Sequence, residues 1–192
     1  MKPSSRLILL AGLALGFAGA ASAAVETYVA DPAHSSVNFT IRHFFSNVPG
    51  RFATFSATLT VDRDNLEKSS AEATIDIASV KTDVSNRDAY LQKPEFFDAA
   101  QFPKMTFKSK SWKKTGDDTF DVTGDLTIKG VTKEIVLKVK SLGFGPGMGG
   151  AMLSGWEGST TVRRTDFGVS AFPKVVGADV AITINVEAAL KK

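Results

Sequence analysis

Apolar residues recur at every second position in one segment of this chain after another, and a period of two marks strands with one buried face. Val180, Ile182, Ile184 and Val186 interleave with Ala181, Thr183, Asn185 and Glu187. Phe120, Val122, Gly124, Leu126 and Ile128 interleave with Asp121, Thr123, Asp125, Thr127 and Lys129. Val37, Phe39 and Ile41 alternate with Asn38, Thr40 and Arg42, and Met105 and Phe107 with Thr106 and Lys108. Ile135, Leu137 and Val139 form one face, with Val136, Lys138 and Lys140 opposite. Successive side chains of a strand point to opposite faces, so each segment has a dry side and a wet side, as antiparallel sheets commonly do.

About eight strands follow, near residues 35–44, 51–61, 70–80, 104–113, 118–128, 132–142, 151–164 and 178–189, separated by Gly, Asp, Asn and Pro clusters. Lys129-Gly130 between two clean runs reads as a tight hairpin turn. In the second segment Phe52 has the opposite parity from Phe55, Ala57, Leu59 and Val61, which calls for a bulge or a sharp bend. Residues 85–103 break the alternation and form the long crossover between the third and fourth strands. There Asn86 can cap a short helix over residues 87–91, and Pro94 before Glu95 suits the first turn of a second. This connector carries Tyr90, Phe96, Phe97 and Phe102, rings that it must bury, and a barrel opening is the expected place. The Gly-rich stretch 143–150 reads as a long flexible rim loop; it lacks the strand-before, helix-after setting of a phosphate-binding loop.

Residues 1–23 have the layout of a cleavable secretory signal: Lys2 and Arg6, an apolar run from Leu7 to about Ala20, then Ala21-Ser22-Ala23. No later stretch reaches the ~18 consecutive apolar residues of a membrane span. The expectation is a periplasmic, secreted protein of one domain, residues 24–192, with no stable membrane span. Removing the signal lowers Lys+Arg from 23 to 21 against 20 Asp+Glu, a net charge of +1. So balanced a chain has no basic excess for phosphates, and no nucleic-acid partner is expected. The chain has no cysteine, which excludes a thiolate nucleophile, a cysteine metal site and a disulfide.

Eight one-sided strands make a sandwich or a closed barrel, and closure removes exposed edges. At this strand number the interior is either filled by side chains or holds one small ligand. Beyond the signal the chain keeps 13 of its 14 Phe, against two Trp and two Tyr, a bias toward rings with no polar handle. Ala57, Ala71, Ala73, Gly124 and Gly158 on inward faces would leave space unless opposite side chains reach in. A lumen of Phe, Ile, Leu and Val suits a long hydrocarbon, since each buried CH₂ contributes about 0.8 kcal/mol. A packed interior remains the alternative.

No catalytic set and no metal site are expected. The two histidines, His34 and His43, are an odd number of residues apart and would face opposite ways on one strand. His34, near Asp31 and Ser35, is expected to fasten the start of the first strand by hydrogen bonds. Ser35 or Ser36 with His34 fails as a nucleophile and base, because adjacent residues of an extended chain diverge. Arg87, Asp88, Arg163, Arg164 and Asp166 could pin the crossover to the barrel through ion pairs. Alternatively Arg42, Arg51, Arg87, Arg164 or Lys104 at the mouth could meet a phosphate or carbonyl headgroup.

Several ordered blocks carry a family resemblance. They are Asp31-Pro32-Ala33-His34-Ser35-Ser36-Val37-Asn38-Phe39, Ile41-Arg42-His43, Gly50-Arg51-Phe52 and Ile75-Asp76-Ile77-Ala78-Ser79-Val80-Lys81-Thr82. Arg87-Asp88, Phe96-Phe97-Asp98, Phe102-Pro103-Lys104-Met105-Thr106-Phe107, the run from Val122 to Thr132, and Arg164-Thr165-Asp166-Phe167-Gly168 complete them. The chain resembles the YceI-like family of periplasmic polyisoprenoid-binding proteins across nearly all of its length after the signal. The resemblance implies an all-β, eight-stranded antiparallel barrel of lipocalin-like shape, with an elongated apolar pocket for isoprenoids or other amphiphilic lipids. The expected reading is a non-enzymatic carrier without cofactors whose partner is such a lipid; oligomeric state is left open. Its lining is expected from Phe39, Ile41, Phe55, Leu59, Ile75, Phe107, Val122, Leu126, Leu137 and Ile182, with Phe96, Phe97 and Phe102 near the opening. The runner-up is a barrel with a filled interior that binds a protein partner in a redox or stress pathway.

Overall fold

The computed structural model describes residues 25–192, so the signal segment lies outside the described residues. Eleven strands and one short helix follow in order: β1 (Glu26–Ala30), β2 (Ser36–His43), β3 (Ser46–Phe52), β4 (Phe55–Val61), β5 (Ser70–Asp76), β6 (Val80–Lys81), α1 (Ser85–Leu91), β7 (Lys104–Lys114), β8 (Thr119–Ile128), β9 (Val131–Pro146), β10 (Met152–Arg163) and β11 (Val176–Leu190). They join in the order β1-β4-β5-β7-β8-β9-β10-β11, and β1 pairs back with β11 to close the ring.

The strand count falls to eight staves because three staves are interrupted. β1 and β2 lie along successive halves of β11, Tyr28 opposite Leu190 and Val176 opposite His43. β3 and β4 continue one another across Ala53 and Thr54, the bend that the change of parity after Phe52 required. β5 and β6 are divided by a single 3₁₀ turn at Ile77–Ser79. Every pairing is antiparallel, so the barrel is a simple meander. β1 is absent from the sequence expectation, because its five residues are too few to display a period, and so are residues 46–50 of β3.

Local chemistry explains the turns. Lys129 and Gly130 have φ of 50° and 74°, the left-handed pair that a two-residue hairpin with the right twist requires. Helix α1 begins at Ser85 with Val84 in the cap position and no side-chain cap, so Asn86 lies inside the first turn instead of capping it. The second helix expected at Pro94 is absent; residues 92–101 form successive turns. The 143–150 stretch also differs from expectation. β9 runs on to Pro146 and pairs with β10, because Phe144 has a place to bury its ring, and only the tip around Met148–Gly150 leaves the sheet.

That ring belongs to the closed end of the barrel. Phe144 sits 5.8 Å from Tyr28 and 5.6 Å from Trp156, and Trp156 stands edge-on to Trp112 at 5.6 Å. Phe120, Val61, Val122 and Ala188 fill the remaining space, all nearly or wholly buried. Two of the polar tips are satisfied locally: the Tyr28 hydroxyl donates to Glu26 at 2.6 Å, and the Trp156 indole N–H to Ser154 Oγ at 3.0 Å, whereas the Trp112 indole N–H is buried without a hydrogen-bond partner. Burial, then the Glu26 hydrogen bond, pushes the Tyr28 phenol up to about 12. The opposite end bears the β2–β3 hairpin, the crossover, the β8–β9 turn and the loop before β11.

Candidate functional site

At this second end the interior is hollow. A cavity of about 370 Å³ opens among β2 to β5, β7 to β11 and the crossover, within the size range of small-molecule pockets. Ala57 and Ala73 face each other across the β4–β5 ladder and both line it, so at that level two adjacent staves contribute only methyl groups to the wall.

Most of the expected lining is on the wall: Phe39, Ile41, Phe55, Ile75, Phe107, Leu126, Leu137 and Ile182, with Phe96 and Phe97 from the crossover. Three residues are elsewhere. Leu59 and Val122 point inward as their parity requires, but they lie deeper, in the packed half. The Phe102 ring packs against Gly130 of the β8–β9 turn, outside the cavity. Three of the supposed gaps are also filled or remote. The Phe107 ring occupies the space beside Gly124, with Cζ only 2.5 Å from where a β-carbon would stand. Ala71 pairs with Leu59 in the packed half, and Gly158 is not on the wall. Phe52 and Val162 belong to the wall and follow from strand parity, whereas Phe167, Val169 and Phe172 come from a loop without periodicity and carry no such signal.

Polar groups are few and none is a carboxylate: Asn38, His43, Thr82, Arg87, Thr160 and Arg164 interrupt the apolar wall, with the Tyr90 ring among them. Arg164 is buried at 6% exposure, and its guanidinium donates to the carbonyls of Val169, Val176 and Gly177 at 2.7, 2.8 and 2.7 Å. Three carbonyl dipoles thus face a charge that has no carboxylate partner, and burial lowers its pKa. Arg87 and Asp88 do pin α1, but through Thr82 and not as an ion pair. The Thr82 hydroxyl donates to Asp88 at 2.5 Å and accepts from Arg87 Nε at 2.7 Å, while the Thr82 N–H donates to Asp88 at 2.8 Å.

The other expected headgroup residues are off the wall. Arg42 is exposed and donates through Nε to the Phe44 carbonyl at 2.7 Å. Arg51 is exposed and approaches Asp83 at 3.8 Å, and Lys104 is exposed at the start of β7. Arg163 meets Asp179 on the surface at 3.5 Å.

His34 and His43 stand at opposite ends of β2, with His43 at the mouth. His34 fastens the β1–β2 junction as expected: its Nδ1 is 2.7 Å from Asp31 Oδ2, and the neighbouring Ser35 hydroxyl donates to the Glu187 carbonyl at 3.1 Å. Asp31, His34 and Glu187 bring donor atoms within 4.8 Å of one another. The His34–Asp31 hydrogen bond already occupies two of those donors, and the cluster lies outside the cavity. Among the described residues no helix is long and apolar enough to cross a membrane.

Comparison with known proteins places this geometry. The model of the YceI-like domain matches residues 28–188. The chain is 36% identical over 176 residues to Protein YceI of Escherichia coli, covering 91% of this chain and 92% of that one. It superposes on the crystal structure of the Campylobacter jejuni YCEI protein with a TM-score of 0.72 at 36% identity, over 79% of this chain and 91% of that chain. A polyisoprenoid binding domain from Saccharophagus degradans, implicated in plant cell wall breakdown, shares the fold with a TM-score of 0.67 at 16% identity, over 88% of this chain and 100% of that one.

Proposed function

The chain belongs to the YceI-like family, and from that premise we propose that it is a periplasmic carrier that holds an isoprenoid or similar long-chain amphiphile in the hollow half of its barrel. The observation that carries this reading is the cavity itself: about 370 Å³, walled by Phe, Ile, Leu and Val, with no carboxylate on its surface. A chain placed there gains about 0.8 kcal/mol per buried CH₂, roughly 8 kcal/mol for ten of them, less the entropy of ordering it. The apolar wall supplies affinity without specifying chain length. The isoprenoid class is supported by the fold shared with a polyisoprenoid binding domain. The location is supported by the signal-like segment at residues 1–23.

Among the described residues Arg164 and Arg87 are the fixed positive charges on the cavity wall, both toward the mouth. A tail lying toward the packed aromatic floor would leave a phosphate or carbonyl headgroup near them, and a guanidinium suits such oxygens. Nothing on the wall offers an acid–base pair to act on the lipid, so the reading is of binding without turnover. The hollow also argues against a filled barrel that serves only to bind a protein.

Native mass spectrometry of the purified protein, followed by organic extraction, tests this reading. A stoichiometric long-chain lipid, or uptake of added geranylgeraniol at one per chain, is the expected result. A protein that is empty and also refuses geranylgeraniol, polyprenyl phosphates and fatty acids would return the partner-binding reading to first place.

A further inference from the structure

The mouth of the barrel turns aromatic rings outward. Phe45, at the tip of the β2–β3 hairpin, is 93% exposed, Phe44 beside it 55%, and Phe172 on the loop before β11 51%. Phe44 and Phe172 also have positive φ, 46° and 52°, an unusual conformation for bulky residues. The backbone beneath them is well tied. Phe44 N–H donates to Val175 at 3.0 Å, Val175 N–H to Phe172 at 3.0 Å, and Arg42 holds the Phe44 carbonyl. The rings therefore stand on an ordered platform, Phe45 displayed to solvent and Phe44 and Phe172 about half so.

Two further observations say what such a platform meets. First, it is continuous with the cavity. Phe172 lines the mouth and touches Tyr90 and Phe96 at 5.9 and 6.1 Å, and His43 joins the wall to Phe44 at 5.0 Å. Second, the segments that carry the rings bear cations and no anions. Residues 36–61 and 167–178 contain no Asp or Glu, while Arg42 and Lys174 flank the exposed rings; the acids of this end, Asp83, Glu95, Asp166 and Asp179, lie outside those two segments, and Asp83 and Asp179 are paired with Arg51 and Arg163. Aromatic rings flanked by cations are suited to the boundary between headgroups and acyl chains of an anionic bilayer.

We propose that this rim is a bilayer-docking surface. Phe44 and Phe45, with Phe172, enter the headgroup region while Arg42 and Lys174 meet anionic headgroups, which sets the cavity mouth against the membrane. This rests on the carrier reading, because it gives a held lipid a direct passage between bilayer and barrel.

The test is flotation of the protein with vesicles of equal phosphatidylglycerol and phosphatidylethanolamine, beside phosphatidylcholine vesicles. The variants are Phe44→Ser/Phe45→Ser and Lys174→Glu, with geranylgeraniol uptake and the urea midpoint measured in parallel. Neither Phe44 nor Phe45 is on the cavity wall, so uptake and midpoint should stay as in the parent. The double variant should lose roughly tenfold or more in partition onto phosphatidylglycerol vesicles. Lys174→Glu should lose less, and its defect should vanish at high salt. If the parent takes up geranylgeraniol but does not float, or floats no better than the double variant, the docking surface is refuted while the carrier stands. If it floats through these rings yet refuses geranylgeraniol, the docking surface is upheld and the carrier reading fails. A parent that sediments as a dimer and becomes a monomer in the double variant refutes it too, since the rings then cover a second copy.

Discussion

The ring of Phe39 lies where a β-carbon on Gly50 would stand, directly across the β2–β3 ladder. Gly50 thereby lets Phe39 lie flat against its own sheet and form cavity wall. The Gly50→Ala variant has to turn that ring, inward into the hollow or outward into water. Overpacking of this kind destabilises by about 1–3 kcal/mol. We expect a lower urea midpoint together with weaker geranylgeraniol uptake. A variant that matched the parent in both would show that the ring moves freely and does not shape the wall.

Filling the hollow should separate stability from binding. Ala57→Leu/Ala73→Leu places two isobutyl groups in the wall where both parent residues are methyl. Their burial contributes about 0.8 kcal/mol per CH₂, offset by whatever strain they introduce. We expect thermal stability equal to the parent or higher, and at least tenfold weaker uptake of geranylgeraniol by fluorescence titration. Undiminished uptake would put the lipid somewhere other than this cavity.

Arg164 ties the loop before β11 to the barrel through three carbonyls. Arg164→Met leaves those carbonyls buried without a donor and should cost roughly 3–5 kcal/mol by chemical denaturation. Arg164→Lys restores a charge and part of the bonding, and should fall between. If Arg164 also meets a headgroup, the lysine variant will discriminate less between geranylgeranyl phosphate and geranylgeraniol than the parent does. An unchanged preference would leave the residue a purely structural role.

The His34–Asp31 pair should make the β1–β2 junction sensitive to pH. The hydrogen bond to Asp31, then its charge, raises the His34 pKa above the ordinary 6.5. The same hydrogen bond, then that from Ala33 N–H, lowers Asp31 below 3.8. The histidine contribution is therefore complete below 6.5 and lost as pH rises through the higher folded value. The Asp31 contribution is present above 3.8 and lost as pH falls through the lower one. The stability difference between the parent and His34→Gln should peak near pH 5 and fade toward pH 9. Histidine proton NMR checks the cause directly, since His34 should titrate above its ordinary value.

The staves were legible because alternation is a local property. Residues 118–128 became Thr119–Ile128, and 178–189 became Val176–Leu190, since each carries enough inward positions to show the period. The bend after Phe52 showed in the change of parity for the same reason. β9 beyond Leu142 did not, because its glycines mimic a loop and its reason for staying extended is Phe144, which needs Tyr28 and Trp156 from distant segments. The expected cap at Asn86 failed likewise: a buried contact between Asp88 and Thr82 positions that helix instead.

Which residues face inward was thus settled by the sequence through strand parity alone, and so was the apolar, carboxylate-free character of most of the wall. Where the interior is hollow was decided only by the closed barrel. Leu59 and Ala57 share one parity, as do Val122 and Leu126, yet the first of each pair lies in packed core and the second on the cavity wall. Parity reports a side chain's direction, while whether the level is packed or open depends on what the other staves place there. At one level those staves bring together Tyr28, Trp112, Phe120 and Trp156; at another they bring Ala57 and Ala73, and the space between is left open.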